Sequence, residues 1–425
     1  MRARHGTLTL GRLCALAWRN LWRSRRRTAI TSSTIAIGFA LAVVSIGLGD
    51  GGHNQMIRNA IRMGEGHLTI QPKGYLAAPS NQLFLEDGEA LLTHPPLIHL
   101  DARIAPRIFL QALAATAYDS LGVGLQGIEV TRDPYAESLR PRIEAGRWLQ
   151  EGDARGVVIG RGMADKLKAK VGSRLVLMAG GESGGVESRL GRVRGIFSSG
   201  IAQMDGFLIV ASLEFARHLL PGYQPARDGA ALTRLAIFLD DPDRGAAVKA
   251  ELSAHPLPSG AVLVDWQEMM PELVNFIILD DFGNYIWLLI MLVVVVFGIL
   301  NTILMSVLER TREFGLVRAL GMRPRQLLAL VLVETALMAT LSLAAGWVLG
   351  GLAHGYFAVY GLDLTWLSPE TLITAGVMID PVLFSELSWT RVVTLTSLVF
   401  VTTMMSGLYP AVKAARVSPM AALRT

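Results

Sequence analysis

The chain has 425 residues, of which 51% are hydrophobic and 18% are charged, and its formal net charge is +5. Soluble domains carry about 25% charged residues, so this composition excludes an ordinary soluble protein and indicates long apolar segments. The single cysteine, Cys14, excludes a disulfide framework within the chain.

Residues 1–27 are strongly basic, with eight arginines and no acidic residue. Such a segment binds either nucleic acid or a membrane surface, and the apolar run that follows it favours the membrane and argues against nucleic acid. Leu13, Leu16, Ala17, Leu21 and Trp22 recur near helical spacing. This pattern predicts an interfacial helix with a basic face in water and an apolar, aromatic face against the membrane.

Four apolar segments reach the length of about 20 residues that a helix needs to cross a bilayer. They are residues 28–49, 283–308, 326–353 and 392–412. The first segment and its basic preamble are both longer than those of a cleaved signal peptide. The sequence therefore predicts an α-helical membrane protein with four transmembrane helices.

The distribution of Lys and Arg predicts the orientation of these helices. Residues 309–325 hold five arginines and residues 413–425 hold three basic residues, whereas residues 354–390 hold four acidic residues and no Lys or Arg. Because basic loops stay in the cytoplasm, both termini and residues 309–325 are predicted to be cytoplasmic. Residues 50–282 and the loop 354–391 are predicted to be extracytoplasmic.

Residues 50–282 combine short strand-like and helical patterns with many Gly and Pro residues. This predicts an α+β domain inserted between the first two membrane helices. Helical patterns at residues 51–63 and 266–281 predict two stalks that connect the domain to the membrane. The strand-like runs are residues 67–71, 112–118, 122–130, 156–159, 174–178, 186–197, 207–210, 234–239 and 261–264, and the other helical patterns are residues 162–168, 213–220 and 243–254.

Three short motifs in this domain are similar to catalytic or ligand sites, but each lacks the required context. Gly181–Gly185 matches the nucleophile elbow, yet a strand-like run follows it instead of a helix. Gly160–Gly162 lacks the third glycine of a dinucleotide fingerprint. His94, His99 and Asp101 lack the spacing of a metal site. We therefore predict no catalytic residue, metal or cofactor in this chain.

The sequence contains no P-loop of the form G-x-x-x-x-G-K-[ST]. If the protein is driven by ATP, another polypeptide must bind the ATP and its magnesium ion. This chain is then not itself an enzyme.

Glu334 is an acidic residue inside the third predicted span, which makes it a candidate functional residue. It lies about two turns from the predicted cytoplasmic end of that span. This position favours pairing with an arginine of residues 309–325 over a role in proton transfer. In the same span, Gly346 and Gly350 form a G-x-x-x-G motif, which permits close helix packing.

Residues 306–327, SVLERTREFGLVRALGMRPRQL, and residues 408–424, LYPAVKAARVSPMAALR, resemble the cytoplasmic segments of FtsX-like ABC transporter permeases. The resemblance implies that residues 309–325 form a coupling helix that docks on a separate ATPase, and that Pro324 ends this helix. The residues that it assigns to ATPase coupling are Glu309, Arg310, Arg312, Glu313, Leu316 and Arg318, with Val317 and Leu320 as further apolar contacts.

The extracytoplasmic domain resembles those of LolC, LolE and MacB, most clearly at residues 158–177 and 195–219. This implies a permease of the lipoprotein-releasing type in the bacterial inner membrane. The implied partners are two copies of an ABC ATPase, a second permease that is identical or paralogous, a periplasmic carrier or adaptor, and a lipid or lipoprotein cargo. The implied cargo contacts at the outer ends of the first two spans are Val43, Ile46, Leu48, Tyr285, Leu288 and Leu289.

Two alternative functions remain open at this point. The first is a MacB-like exporter of a drug, peptide or toxin, which works with an adaptor and an outer-membrane channel. The second is an FtsX-like regulator that transports nothing and activates a cell-wall hydrolase.

Overall fold

The structure, a computed structural model, describes residues 10–416 except 24, 65, 99, 182–184, 226–229, 259, 367–371, 375–376 and 380. Parts of three predicted features therefore lie outside the described residues. They are residues 182–184 of the nucleophile-elbow motif, His99 of the histidine motif, and the two chain ends, 1–9 and 417–425. The chain divides into two compact units. The helical unit comprises Met1–Asn54, Ile277–Leu364 and Val382–Thr425, and the sheet unit comprises Gln55–Phe276 and Thr365–Pro381.

Helices dominate the ends of the chain and are short in its middle. The α-helices are α1 (Leu10–Arg23), α2 (Arg25–Met63), α3 (Gly88–Leu92), α4 (Pro95–Ile98), α5 (Pro134–Leu139), α6 (Arg161–Lys166), α7 (Ala202–Phe207), α8 (Leu213–Arg217), α9 (Gly245–Ser253), α10 (Trp266–Met269), α11 (Pro271–Glu309), α12 (Thr311–Ala319), α13 (Pro324–Tyr360) and α14 (Trp389–Ala415). Two short 3₁₀ helices are Arg140–Arg142 and Pro242–Arg244.

Most strands lie between α2 and α11 in the chain. The strands are β1 (Leu68–Pro72), β2 (Ala102–Ala115), β3 (Ser120–Ile128), β4 (Ile143–Gly146), β5 (Gly156–Gly160), β6 (Arg174–Gly180), β7 (Val186–Phe197), β8 (Leu208–Ser212), β9 (Arg234–Leu239), β10 (Ala261–Asp265), β11 (Leu362–Asp363), β12 (Leu372–Thr374), β13 (Val377–Ile379) and β14 (Val382–Leu383).

Four helices of the described chain, α2, α11, α13 and α14, are long and apolar enough to cross a membrane. Each contains one of the four segments that hydropathy predicts, so the prediction of four candidate spans is confirmed. Helices α2 and α11 both have 39 residues, well beyond the roughly 20 that a bilayer requires. Their extra length covers residues 51–63 and most of 266–281, where helical stalks are predicted.

Helix α1 packs against α13 inside the helical unit. Leu13, Ala17 and Leu21 form its apolar stripe, and all three are buried. Trp18 and Trp22 are exposed and form an edge-to-face pair. The grouping of Leu16 and Trp22 with the three buried residues on one face is therefore wrong, because both are exposed while protein contacts cover the other three. That the helix lies at a membrane interface stays a prediction.

The motif Gly346–Gly350 brings α13 close to α2. A Cβ atom added at Gly346 would lie 3.0 Å from the carbonyl oxygen of Ala36, and one added at Gly350 would lie 3.0 Å from the Cα atom of Ala40. Both positions face backbone atoms, which cannot move aside as a flexible side chain can. Small residues thus allow the close helix approach that the G-x-x-x-G spacing predicts.

We expect Gly350→Leu to lower the thermal midpoint of the detergent-purified chain, because overpacking costs about 1–3 kcal/mol. The matched control is Gly351→Leu, since a Cβ at Gly351 meets nothing within 4 Å. Circular dichroism of the helices during heating measures both variants. Equal midpoints for the two variants would show that the close contact at Gly350 contributes nothing.

The sheet unit is built on one ten-stranded sheet. Its strand order is β10-β1-β9-β2-β3-β8-β5-β7-β4, with β6 pairing with β2 and β7. Most pairs are antiparallel, whereas β3 with β8 and β5 with β7 are parallel. Strands β1 and β5 are both buried along their whole length. Strand β5 is a continuous apolar run, as expected of a strand covered on both faces, whereas β1 carries the buried polar residues Thr69 and Gln71.

Strand β2 begins at Ala102, ten residues before the start predicted at residue 112. The prediction is wrong because Pro106 interrupts the run and a proline argues against a central strand. In the structure, Pro106 lies opposite Leu235 of β9, and β2 continues through it to pair with β3 and β6. The long β2 thus pairs with three other strands, β3, β6 and β9, and contributes to the main apolar core of the sheet unit.

The predicted loop 354–391 begins later than expected. Helix α13 continues to Tyr360 and ends where Gly361 adopts a φ of 70°. Glycine at this position is a common helix terminator, because it adopts the left-handed conformation without steric cost. Within the loop, β11 pairs with β14 and β12 pairs with β13.

Candidate functional site

Residues 309–323, which we call the α12 corner, contain the residues that the sequence assigns to ATPase coupling. Helix α11 ends at Glu309, Arg310 leaves the helical conformation, and α12 follows. Gly321 has a φ of 103°, which turns the chain after α12. Pro324 is then the first residue of α13.

The expectation that Pro324 ends the coupling helix is therefore wrong. Proline is well tolerated in the first turn of a helix, where its missing N–H would have no partner in any case. The side chain of Gln326 accepts a hydrogen bond of 2.9 Å from the backbone N–H of Arg323 and supports this start. The helix that precedes the turn spans only Thr311–Ala319, which is shorter than the predicted 309–325.

Two ion pairs connect the α12 corner to the N-terminal helices. Arg23 donates hydrogen bonds of 2.6 and 3.1 Å to the two carboxylate oxygens of Glu313. Arg27 donates to the carboxylate of Glu309 at 2.6 Å. Both carboxylates of the predicted coupling set are therefore paired within the chain, with the side chains of Glu309 and Glu313 nearly half exposed.

A third pair lies deeper in the helical unit. Arg310 lies 3.5 Å from Glu334 and 3.4 Å from Glu313, and its guanidinium lies 5.2 Å from the ring centroid of Phe314. The side chains of Arg310 and Glu334 are each 19% exposed. A cavity of about 40 Å³ adjoins them. This cavity is too small for a drug-sized ligand, which needs about 300–1,000 Å³. The contact between Arg310 and Glu334 therefore favours structural pairing of Glu334.

The other residues of the predicted coupling set are at the surface of the corner. Arg312 is exposed, and Arg318 donates to the carbonyl oxygen of Ala415 at 3.4 Å. Leu316 is 53% exposed and Leu320 is 81% exposed. The corner thus presents two large apolar side chains at its surface, beside charged residues.

The ion pairs of Glu313 lower the pKa of its carboxyl group. Partial burial would raise the pKa of its carboxyl group, but the hydrogen bonds from Arg23 and Arg310 outweigh that effect and lower the pKa below the ordinary value. A carboxyl group whose pKa is lower in the folded state stabilises that state above its unfolded pKa. This stabilisation is lost as the pH falls through the folded pKa.

We expect Glu313→Gln to lower the thermal midpoint at about pH 7, and the difference from the wild type to shrink as the pH falls through the lowered pKa and the wild-type carboxyl group is protonated. Arg23→Gln removes the other half of the same pair and should show the same pH dependence. Scanning fluorimetry of the detergent-purified chain across this range gives the differences. A difference that persists unchanged at the acidic end would contradict the pairing.

The predicted cargo contacts fall into two groups. Val43 and Leu288 are buried in the apolar core of the helical unit, and Ile46 packs against that core. Tyr285 and Leu289 are 56% and 59% exposed, and Leu48 is half-buried. In this single chain, therefore, Tyr285 and Leu289 are the members most available to another molecule.

A charged cluster that sequence reasoning missed connects α2, α11 and α14. Arg391 lies 3.5 Å from both Asp50 and Asp281 and donates a hydrogen bond of 2.8 Å to the hydroxyl of Tyr285. The available signal was that Arg391 is the first Lys or Arg after Arg325, with 65 residues between them. Among the described residues, no group of three or more His, Cys, Asp or Glu side chains is placed to hold a metal ion.

Comparisons with known proteins match both parts of the chain. Residues 285–419 match the FtsX-like permease C-terminal family, and residues 28–255 match the MacB-like periplasmic core domain. The chain is 24% identical to the lipoprotein-releasing system transmembrane protein LolC of Neisseria meningitidis, over 75% of this chain and 77% of the relative. It is 23% identical to LolE of Haemophilus influenzae, over 94% and 96%.

A third relative is the macrolide export ATP-binding/permease protein MacB of Wolinella succinogenes. The identity is 26%, over 99% of this chain and 62% of the relative. The chain thus resembles both a lipoprotein-releasing permease and the permease part of an exporter, at closely similar identity.

Proposed function

We propose a function from the premise that this chain belongs to the family of ABC transporter permeases that combine a MacB-like periplasmic core domain with an FtsX-like permease C-terminal domain. The family resemblance inferred from residues 306–327 and 408–424 is thereby confirmed. Four apolar helices agree with a multi-pass permease of the inner membrane.

The proposed orientation has both termini and the α12 corner in the cytoplasm. The sheet unit is proposed to be periplasmic and inserted between the first two spans. The arginines of residues 1–27 and 309–325 support this orientation, because basic segments stay on the cytoplasmic side. The name of the matching domain, a periplasmic core, supports the same side for the sheet unit.

The α12 corner is the proposed docking site for a separate ATPase. The observation that carries this proposal is the exposure of Leu316 in α12 and of Leu320 just after it, in a corner that ion pairs connect to α1, α2 and α13. A few well-packed side chains at the centre of a contact supply most of its affinity, and Leu316 and Leu320 are proposed to be among them. The chain has no P-loop, so ATP and magnesium are proposed to bind to the partner.

The same ion pairs give a physical route for coupling. Glu313 connects α12 to Arg23, and Glu309 connects the end of α11 to Arg27. Arg310, between these two helices, pairs with Glu334 of α13. A displacement of α12 by the ATPase would therefore move the ends of several long helices together. We propose that two permease subunits and two ATPase subunits use this motion to drive their periplasmic domains.

The proposed cargo is a lipoprotein that is released from the inner membrane. The LolC and LolE relatives, which match most of their own length, support it. Acyl chains would contact the exposed Tyr285 and Leu289 first. The MacB relative supports a second candidate, export of a small molecule or peptide with a periplasmic adaptor.

Affinity purification of the detergent-solubilised chain from its own host, followed by mass spectrometry, tests these proposals. A co-purified P-loop ATPase is expected in both cases. Lipoproteins or a lipoprotein carrier in the same sample would support release, whereas an adaptor with an outer-membrane channel would support export. Homogeneous chain without any ATPase would contradict the assignment to a transporter, and a co-purified cell-wall hydrolase would favour a regulator.

A further inference from the structure

The sheet unit contains a cavity of about 380 Å³ that opens to its surface. Its floor is one face of the sheet, formed by β2, β3 and β9, and helix α7 forms one wall. Arg107 lies opposite Arg234, and Phe109 lies opposite Gln126 in the strand register, so these side chains share the floor. The volume lies in the range of small-molecule sites, about 300–1,000 Å³.

Gln126 is the feature that points to a ligand. Its side chain lines the cavity and is only 5% exposed. Within the described chain its amide nitrogen, Nε2, is buried without a hydrogen-bond partner. A buried donor without a partner is unfavourable, so a group that accepts a hydrogen bond from it would be bound favourably.

The walls are apolar and partly aromatic. Phe109 and Phe207 approach each other over Gly124, where an added Cβ would lie 2.5 Å from the ring of Phe207 and 2.9 Å from that of Phe109. Glycine at this position therefore leaves room for both rings. Tyr135 and Met204 complete a lining that suits an aromatic or aliphatic body.

The charges of the lining select the polar group of the ligand. The residues that line the cavity include Arg107 and Arg234 and no Asp or Glu. The charge of Arg107 is balanced by its buried partner Asp133, so Arg234 contributes the positive charge of the lining. Gln126 contributes an N–H donor, which pairs with an acceptor oxygen. We propose that this cavity is a binding site for a small apolar carboxylate, whose acid group faces Gln126 and whose body lies between Phe109 and Phe207. The inference is independent of the proposed transport function.

The test uses the full chain in lipid nanodiscs and 4-phenylbutyrate, a water-soluble probe of this class. Saturation-transfer difference NMR, with empty nanodiscs as the blank, should show saturable binding to the wild type. Gln126→Leu should weaken binding about fivefold or more, the typical effect of removing one hydrogen bond. Met204→Trp, which fills the cavity from its α7 wall, should abolish binding.

The matched control is Gln71→Leu. Gln71 is 2% exposed, and its Nε2 is likewise buried without a partner among the described residues, but it does not line the cavity. This variant should bind the probe as the wild type does. Absence of saturable binding to the wild type, or equal binding to the Gln126→Leu and Gln71→Leu variants, would overturn the proposal. Equal affinity for 4-phenylbutanol would overturn the carboxylate assignment.

Discussion

Asp133→Ala is expected to destabilise the sheet unit by about 3–5 kcal/mol, the cost of leaving one partner of a buried ion pair without the other. Arg107 is 1% exposed, and the side chain of Asp133 is fully buried. Arg107 donates to the two carboxylate oxygens at 2.6 and 2.9 Å and also donates to the carbonyl oxygen of Gly64. Its guanidinium lies 5.4 and 5.3 Å from the ring centroids of Tyr135 and Phe238.

Asp133 has a second role that adds to this loss. It is the N-cap of α5, where its side chain accepts a hydrogen bond of 2.8 Å from the backbone N–H of Tyr135. Loss of an N-cap costs about 0.5–2 kcal/mol. The substitution therefore removes the partner of a buried cation and the start of a helix together.

The structure provides a matched control between the same two elements. Arg103 of β2 and Glu137 of α5 form an ion pair of 3.0 Å whose side chains are 57% and 61% exposed. Exposed pairs contribute about 0–1 kcal/mol, so Glu137→Ala should have little effect. Hydrogen–deuterium exchange of peptides from β2 and β3 in the full chain measures both variants locally.

A double variant separates the two contributions of Asp133. Arg107→Met with Asp133→Leu removes both charges and should recover part of the loss, because apolar replacement of a whole buried pair is often nearly neutral. If Asp133→Ala cost no more than Glu137→Ala, the buried pair would not stabilise the sheet. If the double variant were no better than Asp133→Ala, the helix cap would account for the loss.

The membrane helices could be predicted because one property, hydropathy over about 20 residues, decides them. The segment 28–49 lies inside α2, and 392–412 lies inside α14. Helix ends were less predictable, since they depend on backbone conformation. Polar residues such as His354 reduce hydropathy without ending α13, which continues to Tyr360.

The strand order and the site geometry could not be read from the sequence. Arg23 and Glu313 are 290 positions apart, and Arg27 and Glu309 are 282 positions apart. Charge counting places all four residues on one side of the membrane, but it does not identify partners. The cavity at Gln126 depends on the register of β2, β3 and β9, which pairs residues that no local pattern connects.

Leu320→Asp is expected to reduce the amount of co-purified ATPase by about tenfold or more, as removal of a central apolar contact typically does. Leu320 is 81% exposed and follows the end of α12, so the substitution leaves no cavity in this chain. It places a carboxylate on the apolar part of the proposed docking surface. Leu316→Asp, at a residue that is 53% exposed, should act in the same direction.

The control is Leu76→Asp, an exposed leucine of the sheet unit with 45% exposure, which the proposed orientation places on the opposite side of the membrane. It should retain the ATPase while it carries the same chemical change. Pull-down with quantitative mass spectrometry compares the three variants at equal amounts of folded chain. If Leu320→Asp retained the ATPase, the α12 corner would not be the docking surface. If Leu76→Asp lost it instead, the proposed orientation would be reversed, because the ATPase would then bind the sheet unit.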